Sequence, residues 1–271
     1  MGIAVALIWG MGVVFAKAAI NDIPPILLMS FRFTLSALVL IWFVKPPIGF
    51  LARLFGISIL AGTIQYSLTF TGLKGLDASV TALVLQLEVP LLVLVGVLTL
   101  KERPGARRLI GIAFAFGGVA IMAGEPRVSG AWLSLLLVLG GALTWASCQA
   151  MIRSMRLDGM TVAAWISLYT APQLFLSSLL FEEGQVEAVT SAGPEVWLVV
   201  IYLGLVMTTV GDTFWNTLVR RYPISTIAPF LVMQPVFSAI GAVILLGEVL
   251  TLPILVGGAI AASGLVFILR K

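Results

Sequence analysis

The sequence predicts an all-α membrane protein with ten transmembrane helices that form two inverted five-helix repeats. Its composition is 60% hydrophobic and only 10% charged, whereas a soluble domain has about 25% charged residues. Apolar stretches close to the roughly 20 residues that span a bilayer recur along the chain. Basic residues concentrate in every second loop, as the positive-inside rule describes for a multi-pass protein.

The apolar stretches are separated by prolines, glycines and charged residues, which mark the loops. We expect transmembrane helices near residues 3–20, 25–44, 52–72, 77–100, 106–123, 130–152, 160–181, 196–219, 225–247 and 252–269. Each stretch is long enough to cross the hydrocarbon core of a bilayer as an α-helix.

The basic residues predict the orientation. With a cytoplasmic N-terminus, the outer loops contain only Lys74 and Arg127. The inner loops and the C-terminal tail contain twelve basic residues: Lys45, Arg53, Lys101, Arg103, Arg107, Arg108, Arg153, Arg156, Arg220, Arg221, Arg270 and Lys271. This bias predicts a multi-pass protein of the inner (cytoplasmic) membrane with both termini in the cytoplasm. Basic residues spread over short loops do not form the single patch that nucleic-acid binding requires.

The two halves of the chain repeat a pattern. Trp9 and Lys17 are eight residues apart, as are Trp145 and Arg153. A mid-helix proline followed by a glutamate and two glycines also occurs twice, as Pro90, Glu102, Gly111 and Gly118 and as Pro235, Glu248, Gly257 and Gly264. Because five is an odd number, the second repeat must cross the membrane in the opposite orientation. We therefore expect a first repeat at residues 1–124 and a second, inverted repeat at residues 128–271, the architecture of many secondary transporters.

These ordered, duplicated motifs, together with Trp9-Gly10 and Lys17, resemble the drug/metabolite transporter superfamily, EamA family. The resemblance covers nearly the whole chain and is strongest to the YddG-type aromatic amino acid exporters. It implies ten helices and an inner-membrane exporter of amino acids and other metabolites. The first copy departs slightly from the second, because the interval from Pro90 to Glu102 is one residue shorter than that from Pro235 to Glu248.

Polar and aromatic side chains inside the predicted helices are the candidate substrate-binding residues. Charged groups at this depth are Lys17, Arg32, Glu88 and Asp212, and each needs a partner or a water-filled cavity. Residues four apart share a helix face, which groups Trp145 with Gln149, Gln65 with Thr69, and Asp212 with Asn216. The expected substrate-binding residues are Trp9, Gln65, Tyr66, Thr69, Gln86, Trp145, Gln149, Asp212, Trp215, Asn216 and Gln234. Aromatic faces beside polar groups suit an aromatic or hydrophobic amino acid, while hydrogen bonds that only join helices are the alternative.

Several other positions have expected roles. Gln86 and Glu88 are two residues apart, so only one of them should face a cavity, and the sequence does not decide which. Pro90 and Pro235 lie near mid-span, where each removes a backbone hydrogen bond and forms either a hinge or a fixed kink. Glu102 and Glu248 are expected to cap or fix a turn, and the glycines of the fifth and tenth helices are expected to allow close helix packing.

The composition excludes several functional classes. The chain has no histidine and one cysteine, Cys148, so neither an imidazole-dependent enzyme nor a histidine-ligated metal site is possible. We expect no catalysis, no metal and no cofactor, and a protein that is a monomer or a homodimer. The favoured function is export of aromatic or hydrophobic amino acids by alternating access. The alternatives are another metabolite or drug class, or a nucleotide-sugar-like carrier, and both proton coupling and facilitated diffusion are compatible with the sequence.

Overall fold

The structure is a computed structural model that describes residues 1–100, 105–222 and 224–269. The side chains of residues 96–100, 150, 153, 224–225, 228–229 and 269 are outside this description. Glu102 is also outside this description. So are five of the twelve basic residues expected on the inner side, Arg153 by its side chain only: Lys101, Arg103, Arg153, Arg270 and Lys271.

The described residues form a helical bundle with short connections and no strand. We label its helices α1 (Gly2–Ala19), α2 (Pro25–Leu40), α3 (Leu51–Gly75), α4a (Ala78–Leu85), α4b (Glu88–Leu100), α5 (Ala106–Ala123), α6 (Trp132–Met155), α7 (Gly159–Phe181), α8 (Pro194–Arg221), α9a (Ile224–Leu231), α9b (Gln234–Leu246) and α10 (Leu252–Leu269). Ile41–Phe43 ends the predicted second helix as a short 3-10 helix, and the loops contain two short helices that the sequence did not predict, Pro126–Ser129 and Gln185–Ser191.

Within the described residues, eight helices are long and apolar enough to cross a membrane. They are Gly2–Ala19, Pro25–Phe43, Leu51–Gly75, Ala78–Val95, Ala106–Ala123, Trp132–Gln149, Gly159–Phe181 and Pro194–Arg221. Two further apolar helices, Gln234–Leu246 and Leu252–Ile268, are shorter. Large apolar side chains such as Leu180 and Phe181 are 76% and 79% exposed, a surface that suits lipid better than water. The protein is therefore a multi-pass membrane protein.

Polar contacts bring the helix termini together at one end of the bundle. Lys17, near the end of α1, donates to the carbonyl oxygens of Leu73 and Lys74 at the end of α3, at 3.0 and 3.1 Å. Three carboxylates lie at the same end, and we call it the acidic end: Glu125, Glu182 and Glu248. The opposite end contains the described basic residues of the other loops, and we call it the basic end: Lys45, Arg53, Arg107, Arg108, Arg156, Arg220 and Arg221.

These three carboxylates each join the N-terminal half of the chain to the C-terminal half. Glu182 accepts the backbone N–H groups of Ile26 and Leu27 at the start of α2, at 2.8 and 3.0 Å. Glu248 accepts those of Ala78 and Ser79 at the start of α4a, at 2.6 and 3.1 Å. Both contacts satisfy N–H groups that have no partner within the helix. Glu248 does cap a helix, but it caps α4a of the other half, whereas the sequence placed its contact at the turn into the next helix.

The third carboxylate, Glu125, accepts a hydrogen bond from the Thr251 hydroxyl at 3.0 Å, just before α10 begins. It therefore links the end of α5 to the start of α10. With the contacts of Glu182 and Glu248, this contact joins the two halves at the acidic end through three carboxylates.

Two predicted helices are interrupted near their prolines. The fourth is broken at Gln86 and Leu87, between α4a and α4b. Because Pro90 has no N–H to offer the Gln86 carbonyl, that oxygen instead accepts from Val89 at 3.3 Å. The ninth helix is broken at Val232 and Met233, ahead of Pro235. The two breaks contact each other, because the Gln86 amide donates to the Val232 carbonyl at 3.5 Å.

The outermost helices, α5 and α10, approach each other at backbone distance. A side chain at Gly118 would overlap the Gly257 carbonyl oxygen, and one at Gly111 would overlap the Gly264 carbonyl oxygen. The expectation of close packing at these glycines is confirmed. Gly117 is an exception, since nothing lies within 4 Å of the position that its side chain would occupy.

The remaining helices surround the centre of the bundle. α2 lies against α7, α3 against α6, and α1 against α8 and α9b. α3 and α8 each contain a π-helical segment, Ser58–Ile64 and Tyr202–Asp212. Such segments are uncommon and are often found at functional sites. Both segments border the cavity described next.

Candidate functional site

A cavity of about 950 Å³, counted with its open mouth, lies among α1, α2, α3, α4a, α4b, α6, α7, α8 and α9b. Its wall contains residues of both halves of the chain. Helices α2 and α7 were not expected to contribute, yet Phe33 and Ser167 line the cavity. Of the residues that the sequence singled out, the cavity brings together Trp9, Gln65, Tyr66, Thr69, Trp145, Gln149, Asp212, Trp215, Asn216 and Gln234.

The structure places Glu88 in the cavity and Gln86 outside it. Gln86 instead lines a shallow apolar depression on the side of the bundle, where its amide makes the contact to Val232. The question that the sequence left open is therefore answered in favour of Glu88. The physical reason is the break at residues 86–87, after which Glu88 becomes the first residue of α4b.

A buried ion pair lies at the cavity wall. The Arg32 side chain is fully buried, and its Nη2 is 3.6 Å from Oδ2 of Asp212. Its Nε donates to the Thr208 hydroxyl at 2.6 Å and its Nη2 to the Tyr66 hydroxyl at 3.3 Å. Asp212 also accepts from Nε1 of Trp9 at 3.0 Å. These contacts satisfy a cation that would otherwise be costly inside a membrane.

Aromatic rings flank this ion pair on two sides. The Trp215 ring lies 5.5 Å from that of Trp9 and 5.9 Å from that of Trp145, measured between centroids. On the other side, the Arg32 guanidinium carbon is 4.6 Å from the centre of the Tyr66 ring and 5.0 Å from that of Phe33. The cavity therefore offers flat apolar surfaces beside polar groups, which suits a ligand with an aromatic or apolar body.

Several polar atoms in the cavity wall have no protein partner. Oε1 of Gln65 and the hydroxyls of Thr69 and Thr81 are buried, and within the described part of the chain they make no hydrogen bond. All three residues line the cavity. Buried polar groups are nearly always paired, so these atoms are unused hydrogen-bonding groups that other protein atoms cover in this structure. Gln149 is partly used already, because its Oε1 accepts from Nε1 of Trp215 at 3.4 Å.

Sequence reasoning missed part of this site. It treated Arg32 and Asp212 as separate charged groups, although pairing is the expected state of two opposite charges inside a membrane. It had no signal for Thr81 and Phe33, which lack charge and any shared spacing with the other residues. Lys17 belongs to the repeated pattern but contacts the end of α3 rather than the cavity.

Comparisons with known proteins agree with a transporter. The family model described as "EamA-like transporter family" matches residues 1–124 and 132–270. A protein of Escherichia coli strain K12 named "Probable amino-acid metabolite efflux pump" is 30% identical over 98% of this chain and 92% of its own length. A protein of Streptantibioticus cattleyicolor named "Probable terminal-alkyne amino-acid exporter" is 29% identical over 66% of this chain and 60% of its own length.

The fold also occurs among solved structures. One crystal structure of a protein superposes on this chain with a TM-score of 0.68, covering 98% of this chain and 94% of the other. The two sequences are 20% identical, so the comparison establishes a common fold.

Proposed function

Because the chain belongs to the EamA-like transporter family, we propose that it exports amino acids from the cytoplasm, with aromatic and hydrophobic amino acids as its preferred substrates. The observation that carries this proposal is the central cavity, which combines aromatic surfaces with unpaired polar atoms. A hydrophobic amino acid has matching parts, namely an apolar side chain and a polar amino and carboxylate end. The names of the relatives in Escherichia coli and Streptantibioticus cattleyicolor support amino acids as the substrate class.

The charges near the cavity disfavour an anionic substrate such as a nucleotide sugar. A phosphate group would need unpaired Arg or Lys side chains. Arg32 is neutralised by Asp212 and further used by Thr208 and Tyr66. Lys17 is occupied by backbone carbonyl groups at the acidic end.

We also propose that the chain crosses the membrane ten times, as two inverted halves at residues 1–124 and 128–271. The helix contacts support this. If the two halves are equivalent, α1 corresponds to α6, α2 to α7 and α3 to α8. The observed contact of α3 with α6 then has its counterpart in the observed contact of α8 with α1, and that of α2 with α8 in that of α7 with α3. The π-helical segments of α3 and α8 are likewise equivalent, and the family model matches two consecutive segments.

In this arrangement α9 and α10 are also transmembrane. α10 has 18 residues and so a length of about 27 Å, close to the hydrocarbon thickness. α9a and α9b together cover a comparable length, despite the break ahead of Pro235. The protein then lies in the inner membrane of the cell. By the positive-inside rule, its basic end and both termini face the cytoplasm.

Transport then proceeds by alternating access. The bonds of Glu125, Glu182 and Glu248 hold the halves together at the acidic end. Opening toward that end requires these bonds to break while the opposite end closes. The breaks at Pro90 and Pro235 contact each other, and we assign them the role of hinges.

The test is counterflow with the purified protein in liposomes. Vesicles loaded with unlabelled phenylalanine should accumulate labelled phenylalanine or tryptophan, but neither threonine nor a sugar to the same extent. Trp145→Ala should lower the phenylalanine rate at subsaturating substrate about tenfold, since it removes one aromatic wall of the cavity. Trp42→Ala is the matched control, because Trp42 is 82% exposed and lies outside the cavity. Absence of counterflow for every amino acid would refute the proposal.

A further inference from the structure

Glu88 is the one cavity-lining carboxylate for which the described residues provide no ion pair or hydrogen bond. Asp212, the other cavity acid, is held by Arg32 and Trp9. Glu88 lines the same cavity and is only partly exposed. Among the described residues, no cation forms an ion pair with it. A carboxylate in this position is costly unless a ligand or water compensates for it.

The position of Glu88 favours a negative charge. Glu88 lies in the first turn of α4b, because the break ahead of Pro90 starts a new helix there. The positive end of the helix dipole stabilises an anion at such a position. The break therefore places a carboxylate in the cavity and, through the new helix start, partly compensates for its charge.

The charges around the cavity leave this carboxylate uncompensated. The Arg32–Asp212 pair is neutral, so an ionised Glu88 would be the one uncompensated charge of the cavity within the described part of the chain. Of the helices against α4b, α6 and α10 have no charged side chain among their described side chains, and Arg107 and Arg108 of α5 lie at the first turn of α5, at the basic end. A cationic ligand would neutralise the cavity, whereas an anionic one would add to the repulsion.

We propose that Glu88 binds the protonated amino group of the substrate, so that the cavity accepts aromatic amines as well as aromatic amino acids. The amine would lie at Glu88 and the ring against the aromatic surfaces of the cavity. This inference rests on the proposed function, because it names the part of the substrate that one side chain recognises. It makes the amine essential and the carboxylate dispensable for binding.

The experiment measures binding to the purified protein by tryptophan fluorescence, since Trp9, Trp145 and Trp215 line the cavity. Four ligands share a benzene ring: L-phenylalanine, 2-phenylethylamine, 2-phenylethanol and 3-phenylpropionate. The wild type should bind the first two at least tenfold more tightly than the last two. Glu88→Gln should lose at least tenfold in affinity for both amines and keep its affinity for 2-phenylethanol. Glu187→Gln is the matched control, because Glu187 is exposed on the short helix Gln185–Ser191.

Two results would overturn the inference. One is an unchanged amine preference in folded Glu88→Gln. The other needs no variant: equal affinity of the wild type for 2-phenylethylamine and 2-phenylethanol. Counterflow separates this outcome from failure of the proposed function, since a wild type that exchanges phenylalanine without amine selectivity refutes only the role of Glu88. A wild type that binds amines but moves no amino acid refutes only the proposed function.

Discussion

The Arg32 guanidinium is surrounded by Asp212, Thr208 and the aromatic rings of Tyr66 and Phe33, with none of its side chain exposed. A cation buried this deeply depends on its anionic partner, because the cost of removing both from water is offset only when they are paired. Asp212 thus has a structural role beside any contact with substrate. It also fixes the Trp9 ring through the 3.0 Å hydrogen bond to Nε1.

Asp212→Leu should therefore destabilise the protein by about 3–5 kcal/mol, the cost of leaving a buried charge unpaired. Arg32→Met combined with Asp212→Leu should be more stable than Asp212→Leu alone, because the unpaired cation is then absent. Thermal unfolding in detergent would measure both variants beside the wild type. If the double variant is the less stable of the two, the ion pair is not what holds these residues in place.

For single residues, the sequence predicted which side chains lie deep in the membrane, but it did not predict which side chains contact each other. Membrane depth follows from position within an apolar stretch, which is why most of the expected residues do line one cavity. The choice between Gln86 and Glu88 depended on a helix break whose position only the backbone reveals. The pairing of Arg32 with Asp212 joins residues 180 positions apart in sequence, and helix periodicity contains no information on such distances.

Among the elements, α5 and α10 form the clearest pair, because four glycines let their backbones touch. Gly118 and Gly257 face each other, as do Gly111 and Gly264. Within a membrane such contacts replace the hydrophobic effect as the source of helix association. Neither helix lines the cavity, so their contact supports the bundle from outside the site.

Gly118→Val should destabilise the protein by about 1–3 kcal/mol, because the added side chain would overlap the Gly257 carbonyl and Ala261. Gly117→Val is the matched control: it makes the same change one residue away, where nothing lies within 4 Å. Melting temperatures of the two variants in detergent give the comparison. Equal losses in both would mean that helix propensity, rather than contact with α10, explains the effect.

Irregularities within the helices could not be predicted from the sequence. Prolines indicated irregular fourth and ninth helices, yet they could not tell whether each would bend or break. Pro172 lies inside α7 without interrupting it, so proline alone does not decide the outcome. The π-helical segments of α3 and α8 had no signal at all in composition or spacing. Both depend on packing against neighbouring helices, which a single sequence does not describe.

On the scale of the whole molecule, the two halves share one cavity and are joined at the acidic end. Glu182 and Glu248 of the C-terminal half cap α2 and α4a of the N-terminal half. Glu125, which follows α5, accepts a hydrogen bond from Thr251 of the C-terminal half. The duplicated sequence pattern predicted two related halves. It did not predict that acidic residues would join the halves. A sequence repeat shows which positions of the two halves are equivalent, and it does not show which positions are in contact.

The most direct test of the account is whether one cavity can be reached from both sides of the membrane. The chain has a single cysteine, so Cys148→Ala with Ala61→Cys places one thiol at a small cavity-lining residue. In vesicles of known orientation, a membrane-impermeant thiol reagent should modify this cysteine from either side, and phenylalanine should slow both reactions. The Cys148→Ala parent should not react. Modification from one side only, with or without phenylalanine, would contradict alternating access through this cavity.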